Sequence, residues 1–385
     1  MPNQATLVTM LLRNPFTADS RVEKEAASLT RAGYRVTVVA EGRPGLPEQE
    51  ERDGYAVVRV PRGPARLPGL RMREYRGRLV EAVVATRPDI VHAHDSDALD
   101  AIARVAERLR VPFVYDAHEL WLGQENRGRS ALYHGLFRAW YWWLQRRTVP
   151  RAAAVLTVSQ PIAERLRKSY GVPVALVPNY PAEVGAVVRR DIRHLVTEPV
   201  PAGAPIVLYI GNIQLGRGLE ELVAALPECP GVVLVCLGAG RESGALPELA
   251  DGLGVRDRIR FVSPVPADQV VSVAASATIG VALTAPISEN NRLALPNKLF
   301  QCMAAGIPVV ATDAPHIRAI VEAAGAGVCV DPTSPTAIAS GLRRLLADSA
   351  EAEAMGRRGA AAVRDRFNWG QSEQALLEVY RRISG

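Results

Sequence analysis

The sequence predicts an α/β protein built from two doubly wound, Rossmann-like parallel-sheet domains facing a central cleft. Three observations predict it. At 385 residues the chain is long enough for two domains. Short continuous apolar runs alternate with amphipathic segments in both halves, the pattern of strands covered on both faces by helices. The alternation lapses once, over 179–204, where "NYPAEVGAVVRRDIRHLVTEPVPAGA" mixes prolines and charges and reads as a linker.

Each element follows from its local pattern. In the first half, strands are expected at 6–12, 35–40, 56–60, 89–94, 112–116, 154–159 and 174–178, where β-branched residues cluster. Helical periodicity fills 20–32, 71–86, 97–110 and 129–150. After the linker, strands are expected at 205–211, 232–238, 258–263, 278–283, 308–312 and 327–330. Helices are expected at 218–226, 245–252, 267–275 and 296–305, with two long terminal segments at 335–367 and 370–384. The domains are therefore 1–178 and 205–367, with 368–385 expected as a C-terminal helix returning to the first domain. Ligands of such sheets sit beyond the C-terminal strand ends, so the cleft is the expected site.

Composition narrows the function classes. Residues 270–288 are uncharged but rich in small residues and broken by Gly280 and Pro286, unlike a membrane span of ~20 large apolar residues. The start, "MPNQATLVTMLLRNPF", lacks the basic and cleavage regions of a signal peptide. Cys229, Cys236, Cys302 and Cys329 have no metal-like or redox spacing and are expected as reduced core thiols. A cytoplasmic protein is expected. The first 190 residues carry a net charge of +9 and the remainder −3, yet no recognition fold for nucleic acid accompanies the basic half.

The candidate chemistry starts at "NRLALPNKLFQCMAAGIPVVATD", 291–313. A helix starting at Pro296 would be preceded by Leu295, which cannot cap it, leaving the N–H groups of Asn297, Lys298 and Leu299 without a side-chain partner. An uncapped helix N-terminus is an anion site, and Lys298 adds a point charge suited to phosphate. The turn "YIGNIQLGRGLEEL" supplies Gly211 at a strand end and Arg217 before a helix, without Walker or dinucleotide-fingerprint spacing. Together these fit a diphosphate held by backbone amides, Arg217 and Lys298. Taken singly, each cation also fits a solvated surface role.

At these residues the chain resembles the GT-B retaining glycosyltransferases of family 4 (glycosyl transferases group 1). The resemblance runs through "DSRVEKEAASLTRAGYRVTVVA", "PDIVHAHDSDAL", "VYDAHELW" and "VLTVSQPIAERL" in the first domain. It continues in "VLYIGNIQLGRGLEEL", "GVRDRIRFVSPVP", "LPNKLFQCMAAGIPVVATD" and the terminal "RFNW" with "LLEVY". It implies a nucleoside-diphosphate sugar, with a UDP-sugar the leading donor, bound mainly by the second domain. It implies an acceptor bound mainly by the first domain, transfer with retention, and no metal or other cofactor. His118, in "YDAHEL", would face the donor sugar and orient a hydroxyl through a neutral imidazole. Fixed dipoles with Arg217 and Lys298 would stabilise the departing diphosphate.

The family pattern is not kept throughout. Gln301 stands where the second Glu of a Glu-x7-Glu pair is common, and Leu293 where the first would be. Gln301 can still exchange hydrogen bonds with a ribose diol, and Glu289, Asn290, Asn291 or Arg292 would take over at the sugar. Asn212 replaces a common Arg, and "RNPFTADSR" replaces a glycine pair. Asp19, Ser20 and Arg21 then either contact acceptor or phosphate, or cap the next helix.

Other readings of the same residues stand beside this one. His92, His94, Asp95, Asp116, His118 and Glu119 lie near two strand ends and could bind zinc in a hydrolase, although no HxHxDH signature is completed. A sugar-nucleotide epimerase or a non-catalytic nucleotide-sugar sensor fits the same architecture. Two segments raise the question of a membrane. Residues 59–78 hold seven arginines against Glu74, and 132–147 place Tyr133, Leu136, Phe137, Trp140, Tyr141 and Leu144 at helical spacing beside Arg138, Arg146 and Arg147. Such a helix lies on an anionic membrane face or packs its stripe into the core. The first option places the protein peripherally on the inner face of the cell membrane with a lipid-linked acceptor in envelope-glycan assembly. The second leaves a soluble small-molecule acceptor, such as a natural product.

Overall fold

The computed structural model describes every residue except 1–4, 18, 64–67, 125–130, 183–186, 215 and 241–244. It divides into two compact units, Met1–Asn179 with Ser372–Gly385, and Tyr180–Gln371.

Unit 1 opens with β1 (Leu7–Leu11), α1 (Ser20–Arg31), β2 (Arg35–Gly42), β3 (Gln49–Arg52), β4 (Tyr55–Pro61) and α2 (Pro68–Ala85). β5 (Ile90–His94), α3 (Asp95–Leu109), β6 (Phe113–Ala117) and α4 (Ala131–Thr148) follow, then β7 (Ala154–Thr157), α5 (Gln160–Tyr170) and β8 (Val174–Leu176). The sheet order is β3-β4-β2-β1-β5-β6-β7-β8. All pairs are parallel except β3 with β4, which departs from the purely parallel sheet expected. β3 reads "QEER" and has no apolar run, but it ends in Asp53–Gly54 at φ 45° and 81°. Those angles form the two-residue turn that pairs Arg52 with Tyr55. A charged strand is tolerated there because it is an edge.

The α4 stripe has two fates. Tyr141 and Leu144 are buried and Phe137 half-buried, so that side packs inward; Tyr133 lies outside the residues whose side chains are described. Leu136, Trp142 and Trp143 are 64%, 52% and 50% exposed and form the outer side. Not all of the arginine run faces solvent either. Arg59 is buried, bonding the Pro15, Pro47 and Phe16 carbonyls and pairing with Glu50 at 2.9 Å.

Unit 2 runs β9 (Ile206–Ile210), α6 (Leu219–Ala225), β10 (Val233–Leu237), α7 (Ala245–Gly252), β11 (Ile259–Val262), α8 (Val270–Ala274) and β12 (Ile279–Ala282). It continues with α9 (Glu289–Leu293), α10 (Asn297–Ala304), β13 (Val309–Thr312), α11 (Pro315–Ala324), β14 (Gly327–Val330), α12 (Pro335–Ala347) and α13 (Ser349–Asp365). Its six strands are all parallel in the order β11-β10-β9-β12-β13-β14. Ile206, Leu208 and Ile210 enter one core and Val207 and Tyr209 the other, the two-residue alternation of a strand covered on both faces. Of the expected linker 179–204, residue 179 falls in unit 1 and the remainder in unit 2, where Ile192 is buried in the core. The segment 335–367 breaks at Asp348, whose carboxylate accepts the Glu351 N–H at 3.0 Å and caps α13.

α14 (Trp369–Ser384) joins unit 1 from residue 372 onward. Ser372 donates to the Pro178 carbonyl at 2.7 Å, and the Tyr380 hydroxyl meets His92 Nδ1 at 2.8 Å. In each sheet the strand order reverses once, between β1 and β5 in unit 1 and between β9 and β12 in unit 2. Ligands of doubly wound sheets bind in the crevice beyond the strand ends at such a switch point.

Candidate active site

In unit 2 the loop after β9 is shaped by glycine. Gly218 has φ 72°, and a Cβ there would stand 2.7 Å from the Leu283 side chain, so the chain turns tightly against the end of β12. Gly238, after β10, approaches the Gly211 carbonyl so closely that a Cβ would lie 2.0 Å from it. The loop so held carries Arg217, which has no hydrogen bond or ion pair among the described residues.

α10 starts one residue later than expected. Pro296 is its N-cap, in extended conformation, and offers no side-chain hydrogen bond. The amides of Asn297 and Lys298 find no acceptor among the described residues, whereas Leu299 N–H does, donating to the Pro296 carbonyl at 3.1 Å. Leu299 thus drops out of the group of free amides. Lys298 is 6% exposed, its Nζ has no hydrogen-bond partner among the described residues, and it sits 4.2 Å from the Tyr209 ring centroid. Burial, reinforced by the like charge of Arg217, lowers its pKa to about 7. A buried ammonium beside an aromatic face, two thiols, a second cation and amides without acceptors among the described residues has the chemistry to take an anion.

The other expected donor contacts are less concentrated. Asn291 is committed to the loop, its Nδ2 donating to Ala285 O at 3.0 Å and Gly216 O at 3.3 Å. The Asn212 carbonyl accepts from the Tyr209 hydroxyl at 2.6 Å, and Gly211 N–H bonds Leu237 O at 3.0 Å. Glu289 and Arg292 lie on α9, and Gln301 is three residues after Lys298 on α10. Tyr209 escaped the sequence reading; its signal was a hydroxylated residue within an otherwise apolar strand.

In unit 1 a charged network fills the ends of β5 and β6. Arg21 is 4% exposed and grips Asp116 through Nε at 2.9 Å and Nη2 at 2.8 Å. It also donates from Nη1 to the Val177 carbonyl and lies 3.0 Å from Glu25. A guanidinium so occupied is unavailable to acceptor or phosphate, so the acceptor role expected for Arg21 is not supported. Asp19 caps α1, accepting Val22 N–H at 3.3 Å, and Ser20 is its first residue.

His118 sits above this pair. Its Nε2 is 3.0 Å from Asp116 and 3.1 Å from His94 Nδ1, and its Nδ1 is 3.4 Å from Asp95. Burial alone would lower its pKa, but the Asp95 and Asp116 carboxylates more than offset that and hold it up at about 10. The imidazole is therefore protonated near neutrality, which corrects the neutral ring expected from sequence. Its side chain is 16% exposed and that of Asp95 26%, so this pair forms the accessible part of the network. Asp95 adopts φ 65°, a left-handed conformation sustained by packing and by its bond from His118 N–H at 3.0 Å.

The expected zinc cluster takes a different form. Glu25, His92, His94 and Asp116 bring ligand atoms within 4.8 Å of one another. Arg21 already grips Asp116, and burial pushes the Glu25 carboxyl up to about 8, so neither offers a free carboxylate to a metal near neutrality. Burial keeps His92 and His94 below their usual pKa.

Two family models match the chain, Glycosyltransferase Family 4 over residues 20–180 and Glycosyl transferases group 1 over 204–348. The chain is 29% identical to a D-inositol 3-phosphate glycosyltransferase of Xylanimonas cellulosilytica, covering 93% of this chain and 89% of that one. It is 28% identical to the 2-deoxystreptamine N-acetyl-D-glucosaminyltransferase of Streptomyces fradiae, covering 95% and 90%. Among solved structures, sucrose-phosphate synthase of Thermosynechococcus elongatus shares the fold at a TM-score of 0.80 and 21% identity, over 98% of this chain and 99% of that one. Anabaena HepE in complex with UDP-glucose does so at 0.76 and 18%, over 98% and 99%.

The buried ammonium yields a stability prediction. Lys298→Met keeps the stem and removes an unpaired charge, so it should stabilise the ligand-free protein at pH 7 by about 1–3 kcal/mol. Because the folded pKa is depressed from 10.5 to about 7, the penalty is fully present below 7 and vanishes above 10.5. The gain in thermal midpoint should therefore shrink as pH rises through that window. A midpoint unchanged or lowered at pH 7 would contradict the assignment.

Proposed function

Because the chain belongs to the glycosyltransferase families that those two models describe, we propose that it moves a hexosyl unit from a nucleoside-diphosphate sugar to an acceptor hydroxyl with retention at the anomeric carbon. The observation that carries this reading is Lys298, buried without a partner beside two free amides and Arg217. A diphosphate would supply the missing acceptors, and the same contacts strengthen as charge develops on the leaving group. Gln301, on the same side of α10 as Lys298, would meet the ribose hydroxyls. No metal or cofactor is required, since two cations and a helix end meet the diphosphate charge. UDP is the leading nucleotide because HepE, which shares the fold, was solved with UDP-glucose.

Unit 1 would hold the acceptor near His118. A protonated His118, its Nε2 held at 3.0 Å by Asp116, would orient a substrate hydroxyl from Nδ1, with Asp95 and Asp116 offsetting its charge beside the cationic sugar. Two acceptor classes have support. The aminocyclitol and inositol phosphate named for the relatives favour a soluble polyol. The outer side of α4 favours a lipid-linked acceptor: Arg146 stacks on Trp142 at 5.1 Å and Arg147 on Trp143 at 5.0 Å, and α4 carries no acid. No helix among the described residues is long and apolar enough to cross a membrane, so such attachment would be peripheral.

Four measurements test this. In a thermal-shift series of UDP, GDP, ADP and TDP with their sugars, UDP should raise the midpoint most. UDP binding should weaken from pH 7 to 9, because the complex needs Lys298 protonated and its free pKa is about 7; calorimetry in two buffers should show proton uptake. Binding indifferent to pH with no proton uptake would remove Lys298 from the site. His118→Ala should cut turnover at least tenfold with the fold intact, since Asp116 keeps Arg21 as its partner. Near-normal turnover would exclude it. Liposomes containing anionic lipid should sediment the protein at low salt, and replacing Trp142 and Trp143 with Ser should abolish this; a wild-type protein left in the supernatant would defeat the membrane reading.

A further inference from the structure

Arg13 lies two residues past β1, while Asp95 and His118 immediately follow β5 and β6. These three strands are neighbours in the order β1-β5-β6, and the reversal of strand order falls between the first two. Arg13 therefore stands at the switch point of unit 1, beside the His118 mouth. The Asp97 carboxyl, pushed up to about 6 by burial, is held back by both Arg13 and His118, which places the three groups in one electrostatic neighbourhood.

What sets Arg13 apart is the state of its guanidinium. Its Nε is buried without an acceptor, and the contact of its Nη2 is the Met72 sulfur at 3.2 Å, a weak acceptor. It makes no ion pair among the described residues. It lies 6.0 Å from the Tyr75 ring, and the Tyr75 hydroxyl is itself buried without a partner. Arg62, over the same ring at 5.7 Å, is held by Glu41 at 2.9 Å and does not share this condition. A planar fork of donors with no oxygen acceptor among the described residues suits a tetrahedral oxyanion.

We propose that Arg13 binds a phosphoryl substituent of the acceptor, next to the hydroxyl oriented at His118. This rests on the reading of unit 1 as the acceptor-binding half. The phosphoryl group could belong to a free polyol phosphate or to a prenyl phosphate, and the chemistry of recognition is the same.

The test is calorimetric binding to the full chain, with no donor present, of four probes: D-inositol 3-phosphate, inositol, a water-soluble short-chain prenyl phosphate and its alcohol. At least one phosphate should bind ten times or more tighter than its neutral counterpart, and Arg13→Met, which keeps the stem beside Met72 and Tyr75, should erase that difference. Preference for the polyol or the prenyl phosphate then identifies the source. Phosphates that bind no better than their neutral counterparts, or an advantage that survives in Arg13→Met, would overturn the proposal. Arg13→Gln gives the same readout if the Met variant does not fold. Nucleotide binding is scored separately by the UDP thermal shift, so failure of the glycosyltransferase reading and failure of this one are told apart.

Discussion

The Arg21–Asp116 pair is the constraint on which unit 1 depends. Both residues are almost wholly removed from water, and a charge so placed is tolerable only when its hydrogen bonds are filled. Arg21 fills them from two directions, Asp116 at the end of β6 and the carbonyl of Val177 just past β8, while Glu25 one turn along α1 lies 3.0 Å away. One side chain thereby fixes α1 against strands distant in sequence. It also sets the electrostatics above it. With Asp116 held ionised well below its usual pKa, chiefly by Arg21 against the cost of burial, a fixed negative oxygen faces His118. That oxygen adds to the Asp95 carboxylate in holding the imidazole protonated.

Set against that pair, the cations proposed to meet ligands share one property, the absence of a carboxylate partner among the described residues. Arg21 and Arg59 are at least as well placed by sequence as Arg13, Arg217 and Lys298; Arg59 lies within β4 and the others in loops or first helical turns near strand ends. The first two spend their charge inside the protein. The other three retain theirs, and in Lys298 the cost of doing so appears as a pKa lowered to about 7. Positive charge is common along this chain. Unpaired positive charge, partly buried at a switch point, is what marks a site.

Much of the architecture was legible because it rests on local pattern. Continuous apolar runs such as "IVLYI" and "VLVCL" announce strands buried on both faces, and Pro296 marks the start of α10 to within one residue. β3 was not legible from hydrophobicity, since "QEER" earns its place by pairing at an edge; the Asp-Gly turn was the available signal. The split of 335–367 at Asp348 hid for a similar reason, because one capping residue leaves the helical periodicity on either side intact. In the site, Lys298 and Arg217 could be read from spacing after strand ends. The fate of Arg21 and the protonation of His118 could not, because each depends on partners ninety or more residues away or on burial that only the fold creates.

The departures of α9 and α10 from the family pattern follow the same logic. Residue 301 is three positions after Lys298, close enough on a helix for side chains to meet. A glutamate there would face the ammonium, raise its pKa and supply the partner it now lacks. Gln301 keeps hydrogen-bonding capacity for a diol while contributing no charge, and Leu293 removes a second acid from the preceding helix. Among the described residues Lys298 is thus left with Arg217, two amides without acceptors, the Tyr209 ring and the Cys236 and Cys302 thiols, which burial keeps protonated, so nothing neutralises it. Under the proposed function its charge is left for the incoming diphosphate, so that the proton and the ligand arrive together.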